Sequence, residues 1–237
     1  MTHHRRRTAD LPLVILVGIA LALAAGLAAF VVHHSAAADP FVACETWATT
    51  LLARLSSLGL LLPTAVLAAA VVAAALALAH QLVATRRMLR GVLAARLPAL
   101  PAVVAGAAGP GLDGRLDVID DDHAFTFCHG LVRPRVCLTT GLAALLAPDE
   151  LAAVLRHERH HVRYHDPLKI LIGRTIASGL FFLPLAGLLR NGYLAGKELS
   201  ADADAAAGSG DGPLARALVK LLGAARPRWP AGVLAVG

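Results

Sequence analysis

Two long apolar runs, bordered by arginines, constrain this chain more than any other feature. Leu11 to Val32 and Leu58 to Ala79 contain no charged residue. Each offers the roughly 20 residues that an α-helix needs to cross a bilayer. Arg5, Arg6 and Arg7 precede the first run, and Arg86, Arg87, Arg90 and Arg96 follow the second. Between the runs lie only Asp39, Glu45 and Arg54 as charges. Because arginine and lysine are retained on the cytoplasmic side, both clusters are expected inside and the short loop from His33 to Ser57 outside. Trp47 in that loop reads as an interface anchor. The first run is too long for the apolar region of a signal peptide and is expected to be a retained anchor.

Composition fits this reading. The 237 residues are 57% hydrophobic but only 4% aromatic, so the apolar mass is alanine, leucine and valine, which suits membrane helices better than a large aromatic core. The formal charge of +6 is explained by topology, and no aromatic-interleaved basic motif points to nucleic acid. Cys44, Cys128 and Cys137 form no Cys-x-x-Cys pair, which argues against a thiolate metal site. They read as small buried hydrophobes, with Cys44 on the other side of the membrane from the rest.

Beyond the spans, Thr85 to Leu97 reads as an amphipathic, arginine-bearing surface helix. Residues 1–97 are thus expected to form an anchor, with spans at about 11–32 and 58–79. Residues 98–114, rich in proline and glycine, read as a linker, and 115–237 as a separate domain. That domain opens with short strands at Leu116–Ile119, Ala124–Cys128 and Val132–Leu138, the last placed at an edge or bulge by Pro134. The Ala124–Cys128 strand could pair with an extended substrate or simply pack. Thr139-Thr140-Gly141 opens a helix through Leu146. Pro148, Asp149 and Glu150 start another, with Leu151, Val154, Leu155 and Val162 facing inward and an end near Asp166-Pro167. Gly196–Ala207 and Leu214–Ala225 read as further helices.

The helix started by Pro148 carries His157-Glu158-Arg159-His160-His161, of the form His-Glu-x-x-His. Residues four apart share a helix face, so His157 and His161 can reach one metal ion while Glu158 stands beside it as a general base. A catalytic zinc takes three protein ligands and keeps one position open. Glu198 can be the third ligand. Asp202, four residues on, can hold the free ring nitrogen of a zinc histidine, His157 foremost. Other arrangements are weaker. His161 with His165 is also an i,i+4 pair, but no glutamate follows either. His160 and His165 read as exposed or supporting, Asp204 as solvated, and Asp120-Asp121-Asp122 as a loop. The mostly apolar Leu168 to Leu189 is long enough for a third span. A single crossing would separate Glu198 from the histidines, so this segment is expected to re-enter, lie in the interface or pack under the site.

Three pieces read in order give a resemblance: Leu138-Thr-Thr-Gly141-Leu142, then His157-Glu158-x-x-His161 followed by Asp166, then Glu198-Leu-Ser-Ala-Asp202. They resemble the membrane-embedded gluzincin metallopeptidases, namely the HtpX and CAAX prenyl protease family and the peptidase domain of beta-lactam sensor-transducers. Phe127-x-x-Gly130-Leu131-Val132-Arg133-Pro134-Arg135 leans toward the latter. The resemblance implies a mainly α membrane protein, with two N-terminal transmembrane helices and a zincin-like α+β catalytic domain holding a small sheet. It implies one zinc ion on His157, His161 and Glu198, with Glu158 as base and Asp202 behind the ligands. A protein or peptide substrate and the lipid bilayer are the implied partners. The implied location is a bacterial plasma membrane, multi-pass, with the catalytic domain cytoplasmic. Tyr193 and Arg216 are candidate oxyanion stabilisers. The alternative is a catalytically silent zinc-binding membrane protein acting in signalling or as a scaffold.

Overall fold

The computed structural model describes residues 2–36 and 47–224, with side chains placed for 9–30, 32, 61–210 and 212–224. Cys44 and the side chain of Trp47 lie outside the described residues. Helix α1 (Thr2–Ala36) and helix α2 (Trp47–Leu93) carry the two apolar runs. Within them Ala9–Phe30 and Leu61–Leu93 are long and apolar enough to cross a membrane. The second span and the expected arginine-bearing helix are in fact one continuous rod. No proline or glycine separates Ala79 from Arg86, so nothing interrupts the backbone ladder there. The helix also begins earlier than expected, at Trp47, and accommodates Pro63 in its interior.

After α2 the chain joins the outer edge of a small sheet. Leu97 N donates to Val118 O at 2.8 Å and Asp120 N to Ala95 O at 2.9 Å. A short helix, α3 (Ala102–Ala107), then buries Val104 in the core. Strands β1 (Leu116–Ile119), β2 (Thr126–His129) and β3 (Arg135–Thr139) follow in the order β1-β3-β2. β3 pairs parallel with β1, Val118 opposite Leu138, and antiparallel with β2, Cys128 opposite Val136. The third strand is therefore central, contrary to the edge or bulge expected from Pro134. Pro134 lies just before β3 and costs the ladder no donor. Buried Asp117 ties the strands together. It accepts from Arg135 Nε at 2.7 Å, pairs with Arg96 Nε at 2.8 Å, and lies 3.2 Å from His129 Nε2.

Thr139 caps α4 (Thr140–Leu145) by accepting from Leu142 N at 3.2 Å. Gly141 is required at this turn, because a Cβ there would run into the Asp122 carbonyl. Helix α5 (Pro148–Tyr164) starts where Pro148 and the acids place it, and Glu150 Oε2 accepts from Ala147 N at 2.9 Å. Leu151, Val154, Leu155 and Val162 face the sheet as expected, packed with Val118, Cys128, Val136 and Leu138. Burial of a leucine such as Leu151 or Leu155 contributes about 2 kcal/mol.

The mostly apolar segment 168–189 is a hairpin. Helix α6 (Asp166–Gly179) ends, four residues turn, and Pro184 begins α7 (Pro184–Ser209). Proline suits a helix's first turn, and glycine at the end of α6 allows close approach to α2. The expected helix at Gly196–Ala207 is the C-terminal half of α7. Helix α8 (Asp211–Gly223) closes the described chain. α1 packs on α6 and α7, α2 packs on α6, and α5 packs on α7.

Candidate metal centre

The site forms where α5 crosses α7. One helical turn separates His157 from His161, so both rings point to the same side, toward the acidic stretch of α7. Their Nε2 atoms stand 3.2 Å apart. Glu198 brings Oε2 to 3.5 Å from His157 Nε2 and Oε1 to 3.9 Å from His161 Nε2. One ligand atom from each residue falls within 4.8 Å of the others. Two nitrogens on one tetrahedral zinc stand roughly 3.3 Å apart, so this donor set suits such an ion. Among the described residues no other group of three or more such side chains meets this closeness. Asp120, Asp121 and Asp122 lie in the loop before β2, where Asp121 accepts from His123 N at 2.8 Å.

The far side of each ring is also held. Asp202 Oδ1 lies 2.9 Å from His157 Nδ1. Asp166 Oδ2 lies 2.9 Å from His161 Nδ1, with both side chains fully buried. Sequence reasoning noted Asp166 in a motif but missed this contact. His165 explains how it forms. It adopts a left-handed conformation, φ 53° and ψ 40°, which ends α5 and turns the first residue of α6 back toward His161.

Asp166 is in turn held by a residue that sequence reasoning did not single out. Lys197, next to Glu198, is buried and places Nζ 3.1 Å from Asp166 Oδ1 and 2.8 Å from Asp10 Oδ1. Asp10 belongs to α1 and also pairs with Lys169 Nζ at 3.2 Å. A line of charges thus runs from the first apolar helix to the His161 ring. Burial works against the charge on Lys197, but Asp166 and Asp10 outweigh it and raise its pKa. His160 was expected to be exposed or supporting, and Asp204 to be merely solvated. Instead His160 is buried and its Nδ1 lies 3.3 Å from Asp204 Oδ2.

The electrostatics favour a cation. Burial opposes a proton on His157, yet the Asp202 and Glu198 carboxylates outweigh it and push its pKa up to about 10. The same field favours a metal in place of that proton. Glu158 is 1% exposed, and its Oε2 is buried without a hydrogen-bond partner. Burial pushes its carboxyl up to about 7, against the pull of His157 and His161. A buried carboxylate with a vacant acceptor beside the cluster is suited to receive a proton.

Neither Tyr193 nor Arg216 is one of the three clustered residues. Tyr193 is buried near Lys197, whose Nζ lies 5.7 Å from the ring, and its hydroxyl has no hydrogen-bond partner. Arg216 on α8 pairs with Asp149 and, at 3.3 Å, with Glu150. Those acids open α5, about 10 Å along the helix from His157. Cys128 and Cys137 are buried free thiols, as expected, and burial raises both pKa values.

With this geometry in place, comparison with known proteins gives a likeness for part of the chain. Residues 93–198 match peptidase family M48. The matched segment contains the sheet, α5 and α7 as far as Glu198. The chain is 35% identical over 68 residues to a protease HtpX homolog of Acidiphilium cryptum, covering 28% of this chain and 24% of that protein. It is 33% identical over 64 residues to a protease HtpX homolog of Thermoplasma acidophilum, covering 27% of this chain and 20% of that protein. The chain thus spans a quarter or less of the length of these curated relatives. No solved structure gives a significant match. The resemblance to HtpX-type membrane metallopeptidases holds over this matched part of the chain.

Proposed function

We propose that this chain is an integral-membrane zinc endopeptidase whose catalytic domain, residues 115–237, faces the cytoplasm behind the anchor 1–97 and linker 98–114. The convergence of His157, His161 and Glu198, with Glu158 buried and a free acceptor beside them, carries the proposal. His157, His161 and Glu198 would hold zinc, with Asp202 and Asp166 fixing the orientation of the two rings. Zinc bound there supplies Lewis acidity that activates water and polarises the scissile carbonyl. Glu158 takes the proton from the attacking water and passes it to the leaving amine. Its burial keeps its affinity for that proton high enough for the transfer. The substrate backbone runs along β2, the outer strand on one side of the sheet, whereas the residues after α2 cover β1. The arginine clusters beside both spans support the cytoplasmic orientation.

The test is metal analysis and casein cleavage by the full chain purified in detergent. Zinc at one per chain with chelator-sensitive cleavage is the expected result. Zinc at full stoichiometry without hydrolysis of any unfolded substrate would favour a silent zinc-binding scaffold.

Two further outcomes follow from the ring supports. Asp166→Asn is expected to lower zinc affinity roughly 10- to 100-fold, because the amide holds the His161 proton less firmly. Chelator competition measures it, and unchanged affinity removes Asp166 from that role. The proton on His157 must leave when zinc binds. Its pKa of about 10 means zinc affinity rises with pH, by about tenfold per unit near neutrality. A flat affinity between about pH 6 and 8 would contradict the assignment.

A further inference from the structure

Away from the metal centre, α2, α6 and α7 border an open cavity of about 420 Å³. Its polar lining is His80 and Gln81 from α2, Arg174 and Ser178 from α6, and Arg190 and Asn191 from α7. No carboxylate is among the described residues that line it. Arg174 and Arg190 are close enough to repel one another. Gln81 is 5% exposed, and its side-chain carbonyl is buried without a hydrogen-bond partner, although its amide donates to Ala77 O at 3.1 Å. Arg190 Nε and Nη2 donate to Asn191 Oδ1 at 3.2 and 3.1 Å, an oxygen that a phosphate oxygen can replace, because the guanidinium fork matches phosphate, and two like charges lining one cavity suit a bound anion. The vacant Gln81 acceptor suits a hydroxyl beside that phosphate.

The depth of the cavity narrows the source. Gly179, at the end of α6, lies so close to α2 that a Cβ would come within 3.2 Å of Ala70 O and Ala74 Cβ. The hairpin tip is therefore level with the middle of the second apolar run. Phe181, Leu185 and Leu188 around the tip are exposed, as suits acyl-chain surroundings. His80 is about 15 Å further along α2 from Ala70, at 1.5 Å per residue. That is half of the roughly 30 Å hydrocarbon core, which places the cavity at the headgroup boundary on the arginine-rich side. Arg174 and Arg190 lie at matching distances from the tip, on its two arms.

We propose that this cavity binds a phosphate group, supplied by the headgroup of an anionic phospholipid, with the hairpin tip seated among the acyl chains. Both arginines clamp the phosphate, and Gln81 accepts from a headgroup hydroxyl. The bound lipid then joins α2 to the hairpin whose second arm, α7, bears Glu198. Free inorganic phosphate is the other source of the same chemistry.

The experiment reconstitutes the full chain in nanodiscs of phosphatidylcholine alone or mixed with phosphatidylglycerol, and reads retained lipid by native mass spectrometry after release into detergent. Wild type is expected to retain one phosphatidylglycerol from the mixture. Arg174→Gln with Arg190→Gln is expected to lower that retention by about tenfold or more. Arg174→Lys with Arg190→Lys keeps the charge and packing and should retain an intermediate share, which separates anion binding from misfolding. Circular dichroism checks that both variants keep their helices. Loss of retention in excess inorganic phosphate, with thermal stabilisation of wild type but not of the glutamine variant, would support the phosphate site with the free anion as its ligand. Equal retention by wild type and the folded glutamine variant, with no phosphate response, overturns the proposal. The readout is independent of peptide hydrolysis.

Discussion

Glu158→Gln is expected to keep zinc at full stoichiometry and to lower peptide cleavage by roughly two to four orders of magnitude. The substitution preserves shape and removes the only group at this position able to receive a proton. Glu158 does not belong to the ligand set, in which His157, His161 and Glu198 already meet within 4.8 Å, so metal content should not fall. Replacement by the neutral amide also removes a buried charge, since Glu158 is 1% exposed and its carboxyl is driven up to about 7 by burial. The folded state therefore does not lose stability. A raised carboxyl pKa makes the native state less favourable as pH rises through about 7, because ionisation costs more inside than in the unfolded chain. The metal-free wild type should weaken across that rise, and the glutamine variant should not show this contribution. Ordinary casein cleavage by a zinc-loaded variant would remove Glu158 from its assigned role.

Glu198→Ala should cut zinc affinity by more than about 100-fold, beyond what loss of a supporting residue costs. Only the two imidazoles would remain of the three donors. Activity should vanish at zinc concentrations that saturate wild type and return in part when zinc is raised. Asp202→Ala offers a graded comparison. Asp202 Oδ1 lies 2.9 Å from His157 Nδ1, behind the ring rather than in the cluster, so the loss should stay near the 10- to 100-fold range. Equal losses in the two variants would mean that Glu198 is no nearer the metal than Asp202. Competition with a fluorescent chelator, at fixed pH, measures both.

The parts of the fold that the sequence made legible share a physical basis. Helix α5 announces itself through Pro148, two acids in its first turn, and leucine and valine at helical spacing. His157 and His161, like Glu198 and Asp202, are linked by a helix repeat, so each pair can be placed without knowing the fold. The two spans follow from length and the absence of charge. What could not be read depended on contacts between distant segments. Nothing local to Arg135–Thr139 says that it takes partners on both sides, so Pro134 suggested an edge. Leu168 to Leu189 is mostly apolar, and the break at Leu180–Leu183 is fixed by packing of α6 on α2 as much as by Pro184. Periodicity within α5 and α7 could not reveal that Asp204 meets His160, or that Lys197 turns inward. The role of Asp166 depended on a left-handed His165, a conformation that few non-glycine residues adopt.

Asp10 gives the first apolar helix a duty that an inert tether would lack. Lys197 is enclosed between Asp10 and Asp166, and Asp166 grips the back of the His161 ring. Were α1 drawn away by cleavage or by a pulling force from across the bilayer, the buried ammonium would lose one of its two counter-charges. Asp166 would then carry alone the attraction it now shares, and the ring it steadies would feel the change. Severing this N-terminal rod would thus weaken the proposed metal site from a distance, and trimming it to obtain a water-soluble fragment should lower the zinc affinity of what remains.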